Sequence, residues 1–454
     1  MTADYPNFKT IALDSEYLED IKSNIRNRPI AWDGFARTKE LTEDEAAKIK
    51  TLSQAATIQQ KAAAIDQAPA VYATTLLSVL DKIKRDDVLK SLLVLTNDLL
   101  LGVPIFSEEL LKLSLDADTL PYEPFTKFLG SADESIKVLG VYNLVILLAQ
   151  RAYTKHAYVA QTVDVLSKTI AASTNLDSVA TAVQLLRHLF TLPEYREVYW
   201  KSHATLFPPL LTFLQSGKGD LQVRYHTLLA VWLLTFSERI SVEMPLHYQG
   251  VLKVLTGIAK NSIKEKITRL AIAILHNFVA PKSAAYAEAK TKVVKVLLLN
   301  NVLPLMKTFS ERRWSDEELV ADLAALTETL NNALVSLTSM DEYLLELDSG
   351  KMTNSPPHSS EEFWHENVFR FKENNFQLFK RLLALLRTDL SSIYNPQIIL
   401  NDVTCVVSKI PEASKVVAQT GAKAVIMELM TIGSPEVRYE ALKATQALVA
   451  NTFN

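Results

Sequence analysis

The chain is predicted to be all-α: a HEAT/armadillo-like helical-repeat solenoid with a large N-terminal domain and a small C-terminal one. Three features dictate this. First, six stretches beginning at Val88, Ile136, Val179, Val223, Ile267 and Val437 share one pattern at offsets 0, 4, 7 and 11, as in Val88/Leu92/Leu95/Leu99 and Val179/Val183/Leu186/Phe190. The first residue is always β-branched, the second is often small and the last is always Leu or Phe. That spacing is one stripe along an α-helix. Second, with a seventh, less closely fitting stripe at Ile399 counted, the starts differ by 48, 43, 44, 44, 132 and 38 residues, and 132 is three times 44. A helical unit of about 40–47 residues is the period of such solenoids, whose extended surfaces bind other proteins. Third, Gly is only 11 of 454 residues, well under the average of roughly 7%. So little Gly argues against β-rich folds and phosphate-cradling loops.

Taken in order, residues 1–10 read as a tail. DSEYLEDIKSNIRNR predicts a helix over about 14–28, ended by Pro29 because the residue before a proline avoids helical geometry. A second helix begins near Trp32. A third starts after Thr42, the expected N-cap, with Glu45 closing a capping box. The Ala/Gln-rich stretch 54–70 is helical but weakly specified. From about 72 to 300 the repeats run on, with breaks expected at GVP (102–104), PYEP (121–124), LPEYRE (192–197), FPP (207–209), SGKGD (216–220) and EMP (243–245). Stripes due near 311 and 355 are missing; a polar helix over 327–347 follows instead. DSGKMTNSPPHSSEE (348–362) then concentrates Ser, Gly, Asn and two prolines, the composition of a linker. An amphipathic region from Trp364 to Arg387 and two further repeats, one striped Ile399/Val403/Val406/Ile410, close the chain. The expected organisation is an N-terminal domain 1–350, a linker 351–358 and a C-terminal domain 359–454, with Gly350, Ser355, Pro356 and Pro357 as hinge residues.

The composition excludes several classes of function. A net charge of −3 gives no overall field for nucleic acid, and the basic clusters KIKR (82–85) and KEKITR (264–269) are short and mixed with acids. No G-x-x-x-x-G-K-[ST], G-x-G-x-x-G or G-x-S-x-G occurs, and the eight histidines include no i,i+4 pair. No catalytic residue, cofactor or metal is therefore expected. His226 and His276 read as histidines hydrogen-bonded within the helix packing. Tyr225, Trp232 and Phe236, on one repeat helix, read as core rather than as a ligand cage. The single cysteine, Cys405 in VTCVV, reads as a small buried residue and fits a cytosolic protein. The N-terminus has no secretory pattern. The longest apolar runs, such as VYNLVILLA (141–149), fall far short of the ~20 residues that span a bilayer, so no direct membrane insertion is expected. A generic armadillo-type transport adaptor is the rival reading. Such adaptors line their groove with Trp and Asn four residues apart, whereas Trp232 is followed at that spacing by Phe236.

Several blocks go beyond a fold pattern: RPIAWDGFARTKELTEDEA (28–46), LPEYREVYW (192–200), RYHTLLAVWLLTF (224–236), FSERRWSDEELVADL (309–323), SMDEYLLELDSGKMTNSPPHSSEEFW (339–364) and VRYEALKATQALVANTF (437–453). Together they resemble the H-subunit family of eukaryotic V-type proton ATPases (V-ATPases). The resemblance implies a non-catalytic helical-repeat regulatory component on the cytosolic face of endomembranes. It implies an N-terminal domain that holds the peripheral stalk made of the E and G subunits. It also implies a C-terminal domain that meets the cytosolic part of the membrane sector's a-subunit. It further implies that the protein is needed for activity of the assembled pump. When the catalytic sector is released, the protein is expected to silence its ATP hydrolysis through that sector's catalytic or rotor subunits. The candidate partner contacts are Glu361, Glu362 and His365 at the polar start of the C-terminal domain. To them are added Asp389, Ser391, Ser392 and Tyr394 in the short loop between Arg387 and Pro396.

Overall fold

The computed structural model describes residues 10–115, 117–150, 156–336, 339–386 and 395–450. Every regular element among them is helical: 28 α-helices and three 3-10 turns, with no strand. The stripes explain why. Of their 28 positions, counting Ile399/Val403/Val406/Ile410, all but the half-buried Val223 are buried. The small second position has a steric origin at Gly140: a Cβ there would lie 2.5 Å from Phe128 Cβ. The neighbouring segment can approach helix Glu134–Leu148 only because that side chain is missing.

Helix ends follow local chemistry. Thr42 caps Glu43–Gln54: Glu45 N donates to Thr42 Oγ1 (3.1 Å) and Thr42 N to Glu45 Oε2 (3.0 Å). Pro104 and Pro193 each open a helix at its first position, where a missing N–H costs no hydrogen bond. Gly217 and Gly219, with φ of 64° and 80°, turn the chain between His203–Ser216 and Leu221–Leu234. Two expected breaks do not occur. FPP lies inside His203–Ser216 and EMP inside Glu238–His247. Pro208 and Pro209 would have bonded to the carbonyls of Ala204 and Thr205. Both of those residues are exposed, so water satisfies the freed acceptors and the helix continues.

The chain divides into two compact units, Met1–Lys290 with Trp314–Asp322, and Thr291–Arg313 with Leu323–Asn454. In the first, the striped helices stack in sequence: Asp86–Gly102 on Glu134–Leu148, Leu176–Leu189 on Leu221–Leu234, and that helix on Glu265–Asn277. The second has its own core around Tyr343, Trp364, Phe371, Val403 and Leu429. Its repeat helices Pro396–Lys409 and Pro435–Ala450 pack on each other. Residues 351–358 belong to this second unit, with Met352, Pro357 and His358 buried. Among the described residues no single helix is long and apolar enough to cross a membrane.

Candidate functional site

Four consecutive striped helices of the first unit also bury polar side chains: Asn97, Asn143, Gln184 and His226. A buried amide needs partners, and these find them in each other and in the N-terminal segment. Asn97 Nδ2 donates to Asn143 Oδ1 (2.9 Å), and Asn143 Nδ2 donates to the Leu93 carbonyl (2.9 Å). Gln184 grips the backbone of Asp14 twice: Asp14 N donates to its Oε1 (3.1 Å), and its Nε2 donates to the Asp14 carbonyl (3.0 Å). The Tyr142 hydroxyl donates to the Ile11 carbonyl (2.7 Å).

Helix Glu16–Arg26 continues the contact. Lys22, buried and paired with Glu19, reaches Asn97 Oδ1 (3.4 Å), and Ser178 joins Glu134 to Tyr17. Arg26 pairs with Asp98 (2.6 Å). The face holds Ile11 and Asp14 through their backbone groups and helix Glu16–Arg26 through side chains, with Ile11 and Leu18 buried against it. His226 completes the row. Burial first, then the neighbouring Arg187 charge, depress it to about 4. It is neutral near pH 7, with Arg187 Nη1 3.2 Å from its Nδ1. It is a hydrogen-bonded histidine of the packing, as is His276, whose Nδ1 lies 2.9 Å from Asp322 Oδ1.

The second unit holds a segment by different means. His358, in the short helical turn Pro356–Ser359, lies between two carboxylates: Nδ1 is 2.7 Å from Asp402 Oδ2 and Nε2 is 3.1 Å from Glu346 Oε2. All three residues are buried. Burial alone would lower the imidazole's pKa, but the hydrogen bonds and charges of Asp402 and Glu346 outweigh it and raise the group to about 9. Glu346 also accepts from Thr353 N (2.7 Å) and Thr353 Oγ1 (2.9 Å), and Tyr343 donates to Asp402 Oδ2 (3.1 Å). The stretch 353–358 is thus fastened to Ser339–Ser349 on one side and Pro396–Lys409 on the other. Cys405, one turn on from Asp402, is half-buried rather than fully buried. Burial and the Asp402 charge push its thiol up to about 12, which leaves it an unreactive thiol near neutral pH.

The predicted contact residues separate into three groups. Glu361, Glu362 and His365 are exposed on helix Glu361–Asn367, capped by Ser360. With Asn401, Cys405 and Lys443 they line an open groove of about 850 Å³. Asp389, Ser391, Ser392 and Tyr394 lie outside the described residues. Gly350 takes a φ of 67°, Pro356 is exposed, and Ser355 and Pro357 are tucked beside the His358 clamp. The aromatic group differs from the expectation of a core. Phe236 is 51% exposed. Its ring lies 4.7 Å from Trp232, with the Arg196 guanidinium 5.5 Å above it, and Lys266 lies 4.8 Å from the Tyr225 ring. Val223/Thr227/Ala230/Leu234 is the core stripe of helix Leu221–Leu234; Tyr225 and Trp232 fall on another face of it, and Phe236 lies in the turn beyond its end.

The buried ladder and the ion clamp are both devices for holding polypeptide. No group of three or more His, Cys, Asp or Glu among the described residues is placed to hold a metal. Fold and surfaces together define an all-α helical-repeat protein of HEAT/armadillo type. Sequence profiles described as the V-ATPase H subunit match residues 16–330 and 336–453. The chain belongs to the V-ATPase H-subunit family. It is 27% identical over 458 residues to the V-type proton ATPase H subunit of Drosophila melanogaster, covering 98% of this chain and 92% of that one. It is 27% identical to the first of two probable V-type proton ATPase H subunits of Caenorhabditis elegans, covering 94% of each. It is 24% identical to the probable V-type proton ATPase H subunit of Oryza sativa, covering 95% of this chain and 97% of that one. Among solved structures, an engineered protein is similar over 96% of this chain and 97% of its own, at TM-score 0.48 and 17% identity. A designed armadillo repeat protein covers 56% of this chain and 98% of its own, at TM-score 0.43 and 16% identity.

Proposed function

We propose that this chain is a non-catalytic regulatory component of a V-type proton-pumping ATPase, bound on the cytosolic face of an endomembrane through the complex. The observation that carries this reading is the family match, which runs from residue 16 to residue 453 with a gap of only a few residues. In this reading the N-terminal part attaches to the peripheral stalk of the E and G subunits. The C-terminal part meets the a-subunit in the assembled pump. After release of the catalytic sector, the same part engages that sector's catalytic or rotor subunits and stops ATP hydrolysis. The exposed groove at Glu361, Glu362 and His365 is the candidate contact there.

The chain itself turns over no ATP, in keeping with a sequence that has no phosphate-cradling loop and 11 glycines in 454 residues. A pivot at 350–358 is part of this proposal, and it has a definite physical requirement. Residues 353–358 are fastened through Glu346 and Asp402, so the His358 clamp has to open for them to turn. The test is reconstitution. Membranes stripped of this protein regain ATP-driven proton pumping when the full chain is added, while the chain alone shows no hydrolysis. Failure to restore pumping, or turnover by the purified chain, contradicts the reading.

A further inference from the structure

A second surface of the first unit is built for a ligand of definite charge. The family-marking block at 28–32 lines one side of an open cavity of about 920 Å³, which shares only the Arg26–Asp98 pair with the contacts described above. Its charged walls are Arg26, Arg28, Lys50 and Lys61 against Asp33 and Asp98, four cations to two carboxylates. The pairing makes the imbalance concrete. Asp98 serves two cations at once, Arg26 at 2.6 Å and Lys61 at 3.4 Å, with Arg26 also 4.0 Å from Glu19 outside the cavity, while Asp33 takes Lys50 at 2.6 Å. Arg28 is exposed and has no side-chain partner among the described residues. This local excess of two positive charges sits on a chain whose net charge is −3. Such a patch attracts an acidic partner and sets its orientation. The floor is apolar: Ile25, Ile30, Ile58 and Leu101 line it half-buried. A single phosphate or carboxylate would fill a small part of such a volume. Several side chains, some apolar and some acidic, match both floor and rim.

We infer that this cavity docks an acidic, amphipathic segment of the peripheral stalk, an assignment that rests on the stalk-binding reading above. The apolar side chains of that segment lie over Ile30 and Ile58, and its carboxylates meet Arg28 and Lys61. The experiment is calorimetric titration of the full chain with isolated E–G stalk at low and moderate salt. Arg28→Glu reverses an exposed charge and is expected to weaken binding about tenfold and to flatten its salt dependence. Arg28→Glu with Lys61→Gln weakens it further. Asp33→Asn frees Lys50 and tightens binding a few-fold, a gain that damage to the fold does not produce. Lys168→Glu makes the same charge change as Arg28→Glu on an exposed residue outside the cavity and leaves binding unchanged. Equal affinity for the parent and the double variant, or an equal loss in Lys168→Glu, overturns the cavity assignment while the stalk reading stands. Inorganic phosphate that displaced the stalk at equal concentration would reassign the cavity to a free anion. A parent chain that fails to bind the stalk contradicts the stalk reading itself, and the named occupant with it.

Discussion

The polar face of the first unit and the ion clamp of the second each hold a short stretch of chain, and they do it with opposite chemistry. Gln184, Asn97, Asn143 and Tyr142 are neutral and address largely main-chain groups. Each such bond contributes about 1 kcal/mol net, because water offers the segment nearly as much. The clamp buries a charged imidazole between two carboxylates, and breaking it strands charges away from water. Exchange is therefore easier at the first than at the second. The hydrogen bonds to Ile11 and Asp14 can exchange for water at modest cost, whereas residues 353–358 are locked unless something replaces the charges.

The largest effect expected from this contrast is His358→Ala. It leaves Glu346 and Asp402 buried without their cation and should cost about 3–5 kcal/mol, read by denaturant unfolding of the second unit. A stability equal to the parent's would show the clamp to be ornamental. Next are the stripes themselves. Leu234→Ala and Leu448→Ala, at 0% and 6% exposure, should each cost about 2–5 kcal/mol. Melts that match the parent would break the repeat register.

The two units should also part company with pH. His358 is raised from 6.5 to about 9, so the stability it contributes is full below about pH 6.5 and fades as pH climbs through 9. His226 is lowered from 6.5 to about 4. Its contribution is full above about pH 6.5 and is lost as pH falls toward 4, because the unfolded chain then binds the proton that the folded one refuses. Hydrogen exchange resolved by unit should show the second unit loosening on the alkaline side and the first on the acid side. The same direction in both would contradict these assignments. The smallest effect is Gln184→Ala, which should cost about 1 kcal/mol and show as faster proteolysis within residues 10–26 with little change in global melting.

Much of the architecture is legible in the sequence because it depends on one face of each helix. The stripe at Ile267/Ala271/Ile274/Phe278 is completely buried, as its periodicity requires, and Thr42 and Glu45 form the expected capping box. What the sequence conceals lies in long-range pairs. No spacing rule links Asp14 to Gln184 or His358 to Asp402, residues 170 and 44 positions apart. Asn143 at a core stripe position is a visible signal, since a buried amide demands a partner. The Pro-rich stretch 351–358 has a linker's composition, yet its histidine carries the charge that ties it down. Phe236 departs from the expected core because the helix ends at Leu234 and leaves it in the exposed turn that follows.

In the proposed function the labour is divided: the N-terminal part attaches, and the C-terminal part silences. The cut used to test this lies after residue 335, in the gap between the two family matches. It keeps the second core from Met340 onward whole, although residues 291–313 and 323–335 of the second unit stay with the N-terminal fragment. A cut at 350 would leave Met340, Tyr343 and Leu347 of the second core on the wrong fragment. The direct measurement is ATP hydrolysis by released catalytic sector depleted of this protein, with either the full chain or residues 1–335 added at saturation and binding followed in parallel. The full chain is expected to suppress hydrolysis, while 1–335 binds and leaves it running. Complete suppression by 1–335 alone would contradict this division of labour.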